Sequence, residues 1–217
     1  MTDRPIRTLV VDDSVFMRAM LKKALSRAAN IEVIGSAQNG TEALKKIGDL
    51  KPDVVTLDIE MPGLSGLDVL ERVMKDAPIP IVMVSTKTQE GAEMTFQALE
   101  LGAVDYVAKP LADKSASLQR FQEKVVHAVE TAFKANRHRL GGMGKRKILR
   151  PRAATIDTAD RVVAIGISAG GPATLHELLP MFPKDFPPVV LAQHMPAGFT
   201  APFAARLNRT APLEIKG

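Results

Sequence analysis

The chain has no cysteine and no tryptophan, a single tyrosine, and no apolar run of membrane-spanning length. Without cysteine there can be neither disulfides nor thiolate metal sites, a composition that suits a reducing compartment. With one tyrosine and no tryptophan, an aromatic platform for stacking nucleobases is not expected, which argues against a nucleic-acid partner. The apolar run inside the N-terminal MTDRPIRTLVVDDS is too short, and too soon followed by acid, to be a signal peptide. Nothing approaches the roughly 20 apolar residues that a membrane helix needs. The expectation is a cytoplasmic protein with no membrane insertion.

What is there is ordinary globular composition, 46% hydrophobic and 24% charged. A length of 217 residues suits one to two domains. The net charge of +5 belongs to one segment: Lys134, Arg137, Arg139, Lys145, Arg146, Lys147, Arg150 and Arg152 follow one another with no acid between them. Removing those eight of the 29 bases leaves 21 against 24 acids, so the rest is mildly acidic. Glycines 141, 142 and 144, with Pro151 and the bases, make this stretch read as a solvated connector.

Before the connector, five short runs rich in β-branched residues each precede a longer helical pattern. They are Ile6 to Val11, Glu32 to Ala37, Val54 to Leu57, Ile81 to Val84 and Tyr106 to Ala108. Phe16, Met20 and Ala24 recur every four residues as one helix face, Thr41 is placed to cap the second helix, and a last helix is expected from about Ser117 to Arg139. Five βα units with apolar strands predict an α/β fold, a parallel sheet covered on both faces. After Arg161 the pattern restarts with a strand at Val162 to Ile165, a helix from about Pro172, a strand at Val189 to Gln193 and a helix over Pro202 to Asn208. Leu213 to Lys216 then reads as the start of another strand. Two βα units cannot close a core, so this second region is expected to be the N-terminal part of a larger α/β domain.

In an open parallel sheet, groups at the carboxyl ends of strands line the crevice where ligands bind. Asp12 and Asp13 follow the first strand, Asp58 the third, Ser85 the fourth and Lys109 the fifth. With the flavodoxin-like strand order 2-1-3-4-5, the three carboxylates converge and would repel one another unless they surround a hard divalent cation, Mg2+ by preference. Lys109 and Ser85 would complete a site for a phosphoryl group. A single Asp at a strand end is commonly a turn former.

The stretches VVDDS, TLDIEMPGLSG, MVS and DYVAKP resemble the motifs of two-component receiver domains, over residues 6 to about 130. The resemblance implies that Asp58 accepts phosphate from a histidine kinase, and that Asp12, Asp13, Asp58 and the Glu60 backbone carbonyl hold Mg2+. It further implies that Lys109 pairs with the phosphate, that Ser85 (or its neighbour Thr86) moves to hydrogen-bond it, and that Tyr106 is the aromatic switch. A cis Lys109–Pro110 bond is also common in such domains.

The second region opens on IGISAGGP, a strand followed by G-x-S-x-G and then by Pro172 at a helix start. Either Ser168 is a nucleophile on a sharp turn or the glycines merely make a turn that packs. His194 ends the next strand, VVLAQH. Two consecutive parallel strands are often neighbours, which would bring Ser168 and His194 about one strand spacing, ~5 Å, apart. A third group to orient the imidazole is expected beyond Gly217, since Glu177 and Asp185 lie away from the strand ends. His127, His138 and His176 are expected to be surface groups.

IGISAGGP together with LAQHMPAGFTAPFAARLN resembles the chemotaxis response regulator protein-glutamate methylesterases of the CheB type, here with the C-terminal part lacking. That family joins a receiver to a serine hydrolase. The implied function is phosphorylation-regulated hydrolysis of glutamate methyl esters on methyl-accepting chemoreceptors, and deamidation of glutamines by the same acyl-enzyme route, with a chemotaxis histidine kinase as phosphodonor. No cofactor is implied for the esterase. The alternative is a non-catalytic receiver that acts as phosphate sink or docking protein. The expected organisation is a receiver at 1–130, a basic helix extension and linker at 131–160, and a catalytic fragment at 161–217.

Overall fold

A computed structural model describes residues 4–85, 89–110, 115–141, 161–168, 170–195 and 199–217. Thr86 and most of the basic connector lie outside the described residues. The first region alternates strand and helix: β1 (Ile6–Val11), α1 (Val15–Leu25), β2 (Ile31–Ala37), α2 (Gly40–Leu50), β3 (Val54–Asp58), α3 (Gly66–Asp76), β4 (Ile81–Ser85), α4 (Gln89–Glu100), β5 (Asp105–Ala108) and α5 (Ser115–Gly141). Its five strands are all parallel, in the order β2-β1-β3-β4-β5. This is the flavodoxin-like, doubly wound arrangement expected from the sequence.

Every residue of β3 and β4 is buried, as central parallel strands covered on both faces must be. One face packs against α2, α3 and α4 through Val69, Leu70, Val73, Phe96 and Leu99. The other packs against α1 and α5 through Met20, Leu21, Leu25, Phe121 and Val125. Polar caps start the helices. Ser14 Oγ accepts the Met17 N–H at 3.3 Å, and Ser65 and Asp68 form a reciprocal capping box.

The second region contributes β6 (Val163–Ile167), α6 (Gly171–Leu178), a 3-10 turn at Leu179–Met181, β7 (Val189–Gln193) and α7 (Thr200–Thr210). β6 and β7 pair in parallel as a separate two-stranded sheet. Leu175, Leu179, Phe199, Phe203 and Leu207 join the α4 side of the first core, so the two regions share one apolar cluster.

Three sequence expectations fail here for local reasons, and the helix face of α1 is sharpened. Asn39, not Thr41, caps α2, because its side chain accepts the Glu42 N–H at 2.9 Å. Phe16 is 67% exposed, and the buried face of α1 is Met17, Met20, Leu21, Ala24 and Leu25. Leu213 to Lys216 forms no strand; the Asn208 side chain instead accepts the Ile215 N–H at 2.7 Å. The Lys109–Pro110 bond is trans.

Candidate functional site

The register of the first sheet brings the expected residues together. Val11 pairs with Leu57, so Asp12 and Asp58 leave neighbouring strands side by side; Asp58 pairs with Val84 and Ser85 with Ala108, which sets Ser85 and Lys109 beside them. Lys109 Nζ lies 2.7 Å from Asp58 Oδ2 and 3.1 Å from Asp12 Oδ2. Asp12 and Asp58 are buried, whereas Asp13 is exposed, and one carboxylate oxygen from each falls within 4.8 Å of the others. Arg18, which the sequence reading missed, steadies the turn by donating to the carbonyls of Asp12 at 2.7 Å and Asp13 at 2.8 Å.

Burial pushes the Asp58 carboxyl up to about 6, against the pull of Lys109. Asp12 is raised for the same reason. Burial alone would lower Lys109, but the two carboxylates outweigh it and hold the ammonium above its usual value. A cation in contact with both acids therefore stabilises what burial opposes.

Gly66 fits between this site and α3: a Cβ there would stand 1.9 Å from the Asp58 carbonyl oxygen, and its N–H donates to Ile59 at 2.9 Å. Ser85 Oγ lies 2.9 Å from Thr95 Oγ1 on α4, a partner with no local sequence signal. Tyr106 stacks on Phe199 of the second region with centroids 5.5 Å apart and planes at 7°. Among the described residues its buried hydroxyl has no hydrogen-bond partner, and burial holds the phenol well above its usual pKa.

The second constellation also matches its expected register. Ile167 pairs with Gln193, and the His194 N–H donates to the Ile167 carbonyl at 3.3 Å, so Ser168 and His194 leave adjacent strand ends together. Both are exposed. Gln193 donates its amide to the Ser168 carbonyl at 3.1 Å and to its neighbour's carbonyl at 2.9 Å, gripping the turn from β7. Gly170 adopts φ 73°, a left-handed conformation that glycine takes at little cost, and α6 begins with Pro172 in its first turn.

An acid does reach the serine turn, from the first sheet. Asp105 Oδ2 accepts the Gly170 N–H at 3.0 Å while Oδ1 accepts the Tyr106 N–H at 2.8 Å. Burial raises this carboxyl to about 6 despite those two N–H groups and the charge of His127. A cavity of about 630 Å³ runs between the regions, lined by Ser168, His194 and Met195 on one side and by Asp105, Tyr106, Arg120 and Lys124 on the other. His127 lines it too, and His176 lies 3.7 Å from Glu100 rather than free in solvent.

Two family models match the chain: the response regulator receiver domain over residues 8–120 and the CheB methylesterase over residues 163–217. A protein-glutamate methylesterase/protein-glutamine glutaminase of Caldanaerobacter subterraneus subsp. tengcongensis is 45% identical over 98% of this chain and 61% of its own length. One from Thermotoga maritima is 42% identical over 100% of this chain and 62% of its own. The chain thus spans about three fifths of the length of these relatives. The crystal structure of the response regulator domain of Thermotoga maritima CheB matches with TM-score 0.55 and 44% identity, over 60% of this chain and 98% of that one.

Proposed function

Since the chain belongs to the response regulator receiver family, we propose that Asp58 is a phosphoacceptor that controls hydrolysis at Ser168 and His194. The convergence of Asp12, Asp13, Asp58 and Lys109 carries this reading. An Asp58 carboxylate oxygen attacks the phosphorus of a kinase phosphohistidine, the N–P bond breaks, the imidazole takes up a proton, and an acyl phosphate results. Lys109 pairs with the new charge and Ser85 donates its hydroxyl proton to a phosphoryl oxygen.

The donor set suits Mg2+, since Asp12, Asp13 and Asp58 each offer a hard carboxylate oxygen and these oxygens lie within 4.8 Å of one another. Asp12, Asp13 and Asp58 would hold the ion, with the Glu60 carbonyl, and bound there it would neutralise phosphoryl oxygens. The Glu60 N–H also favours the ionised form of Asp58.

At the second site the substrate class is the methyl ester of a glutamate side chain on a chemoreceptor. Ser168 Oγ attacks the ester carbonyl carbon, its proton passes to His194, and methanol leaves carrying that proton. Water then attacks the acyl-enzyme and returns the serine proton. A glutamine amide would follow the same route with ammonia as leaving group. The wall that the receiver side lends to the Ser168 cavity supports regulation by occlusion, and it favours this reading over a non-catalytic phosphate sink. The sequence bounds 1–130, 131–160 and 161–217 serve as the proposed receiver, linker and catalytic portions.

Two labels test the proposal. Radiolabelled acetyl phosphate with Mg2+ is expected to label the chain, and Asp58→Asn to lose at least 100-fold of that label; label retained in Asp58→Asn rejects the acceptor. Methanol released from methylated receptor fragments is expected to vanish in Ser168→Ala, and release unchanged by that substitution rejects the hydrolase.

A further inference from the structure

Thr95 has no exposed surface, and its hydroxyl meets that of the equally buried Ser85 at 2.9 Å. Two hydroxyls at that distance share a hydrogen bond in which either oxygen can donate. Burying such groups costs free energy unless they are paired, so the bond ties the end of β4 to α4.

The neighbours of Thr95 give that tie a consequence. Phe96, next in sequence, meets Phe199 edge-on at 5.9 Å and stacks on Phe203 at 5.2 Å. Glu100, at the end of the same helix, forms an ion pair with Arg206 of α7 and lies 3.7 Å from His176 of α6. One helix therefore holds the partner of Ser85 and also the residues that grip the second region.

We propose that Thr95 is a positioning residue that orients the Ser85 hydroxyl and transmits its movement to the α4 face contacting Phe199, Phe203 and Arg206. This rests on the phosphoacceptor reading above. Ser85 has one proton and two lone pairs. Once Asp58 carries a phosphoryl group, the Ser85 proton turns to a phosphoryl oxygen, and a Ser85 lone pair accepts the proton of Thr95. The direction of the shared bond is then fixed, with Thr95 as donor, and any displacement of Ser85 toward Asp58 draws Thr95 and α4 after it. Only hydrogen bonds change in this step.

The test exploits Tyr106, the single tyrosine in a chain without tryptophan, which stacks on Phe199. In the full 217-residue chain with Mg2+, fluorine NMR reports beryllofluoride bound at Asp58 and tyrosine emission reports the stack. Binding is expected to change the emission. Thr95→Val, of the same shape but without the hydroxyl, is expected to bind beryllofluoride yet lose at least two thirds of that change, and Thr95→Ser to restore it. An unaltered emission change in Thr95→Val at equal occupancy overturns the proposal, as does an unsubstituted chain that binds without any change. Should Thr95→Val not fold, Thr95→Ala, which only removes atoms, is read by the same outcomes. Absence of bound fluorine signal in the unsubstituted chain overturns the phosphoacceptor reading itself, and this inference with it.

Discussion

At the scale of single residues the acceptor site depends on close approach as much as on charge. Asp58 sits where burial disfavours its ionised form and Lys109, 2.7 Å away, restores it. Gly66 allows α3 to start against the Asp58 carbonyl, where a methyl group would overlap the oxygen at 1.9 Å. Because the obstacle is backbone, it cannot rotate away. Gly66→Ala is therefore expected to destabilise the chain by about 3 kcal/mol, as overpacking does at its upper range, and to slow labelling by acetyl phosphate at least tenfold. Denaturant midpoints and labelling rates check this, and a variant with both near their original values contradicts the packing argument.

At the scale of elements, β5 joins the two sites. Tyr106 faces Phe199, and Asp105, one residue earlier, accepts the N–H of Gly170 two residues after Ser168. Burial raises Asp105 to about 6, while the Tyr106 and Gly170 N–H groups and His127 of α5, lining the same cavity, pull the other way. A carboxyl raised by burial in the docked arrangement binds its proton more tightly there than when free in solvent. Its contribution to docking is full below its free value near 4 and is lost as pH rises through about 6. Acrylamide quenching of Tyr106 is thus expected to weaken as pH falls from 7.5 to 5, in a His127→Gln background that removes the neighbouring imidazole. Asp105→Asn is expected to flatten that dependence; a slope unchanged by the substitution contradicts it. Such contacts explain what was legible in the sequence. Val54 to Leu57 and Ile81 to Val84 announced central strands because burial on both faces leaves no polar alternation, and strand-end acids followed from that. Asp105 to Gly170 and Ser85 to Thr95 join residues 65 and 10 apart through tertiary packing, which no periodicity encodes. Of the residues on the four-residue spacing, Met20 and Ala24 are buried and Phe16, in the first turn of α1, is exposed, because spacing marks a helix face without saying how far along it burial extends.

At the scale of the whole molecule, the apolar cluster of the first sheet continues into the second region through Phe96, Phe199, Phe203 and Leu207. The cavity beside Ser168 is bounded by both regions, so access to it depends on how they dock. Among the described residues no helix is long and apolar enough to cross a membrane. The state of Asp58 is expected to decide whether α4 and β5 keep their hold on the serine turn. The Gly170 amide, bonded to Asp105 in this arrangement, reports that hold directly. Its hydrogen exchange, followed by NMR with Mg2+ before and after beryllofluoride, is predicted to accelerate at least tenfold in the unsubstituted chain and not at all in Asp58→Asn. An exchange rate that stays constant while fluorine NMR shows the beryllofluoride bound would contradict it.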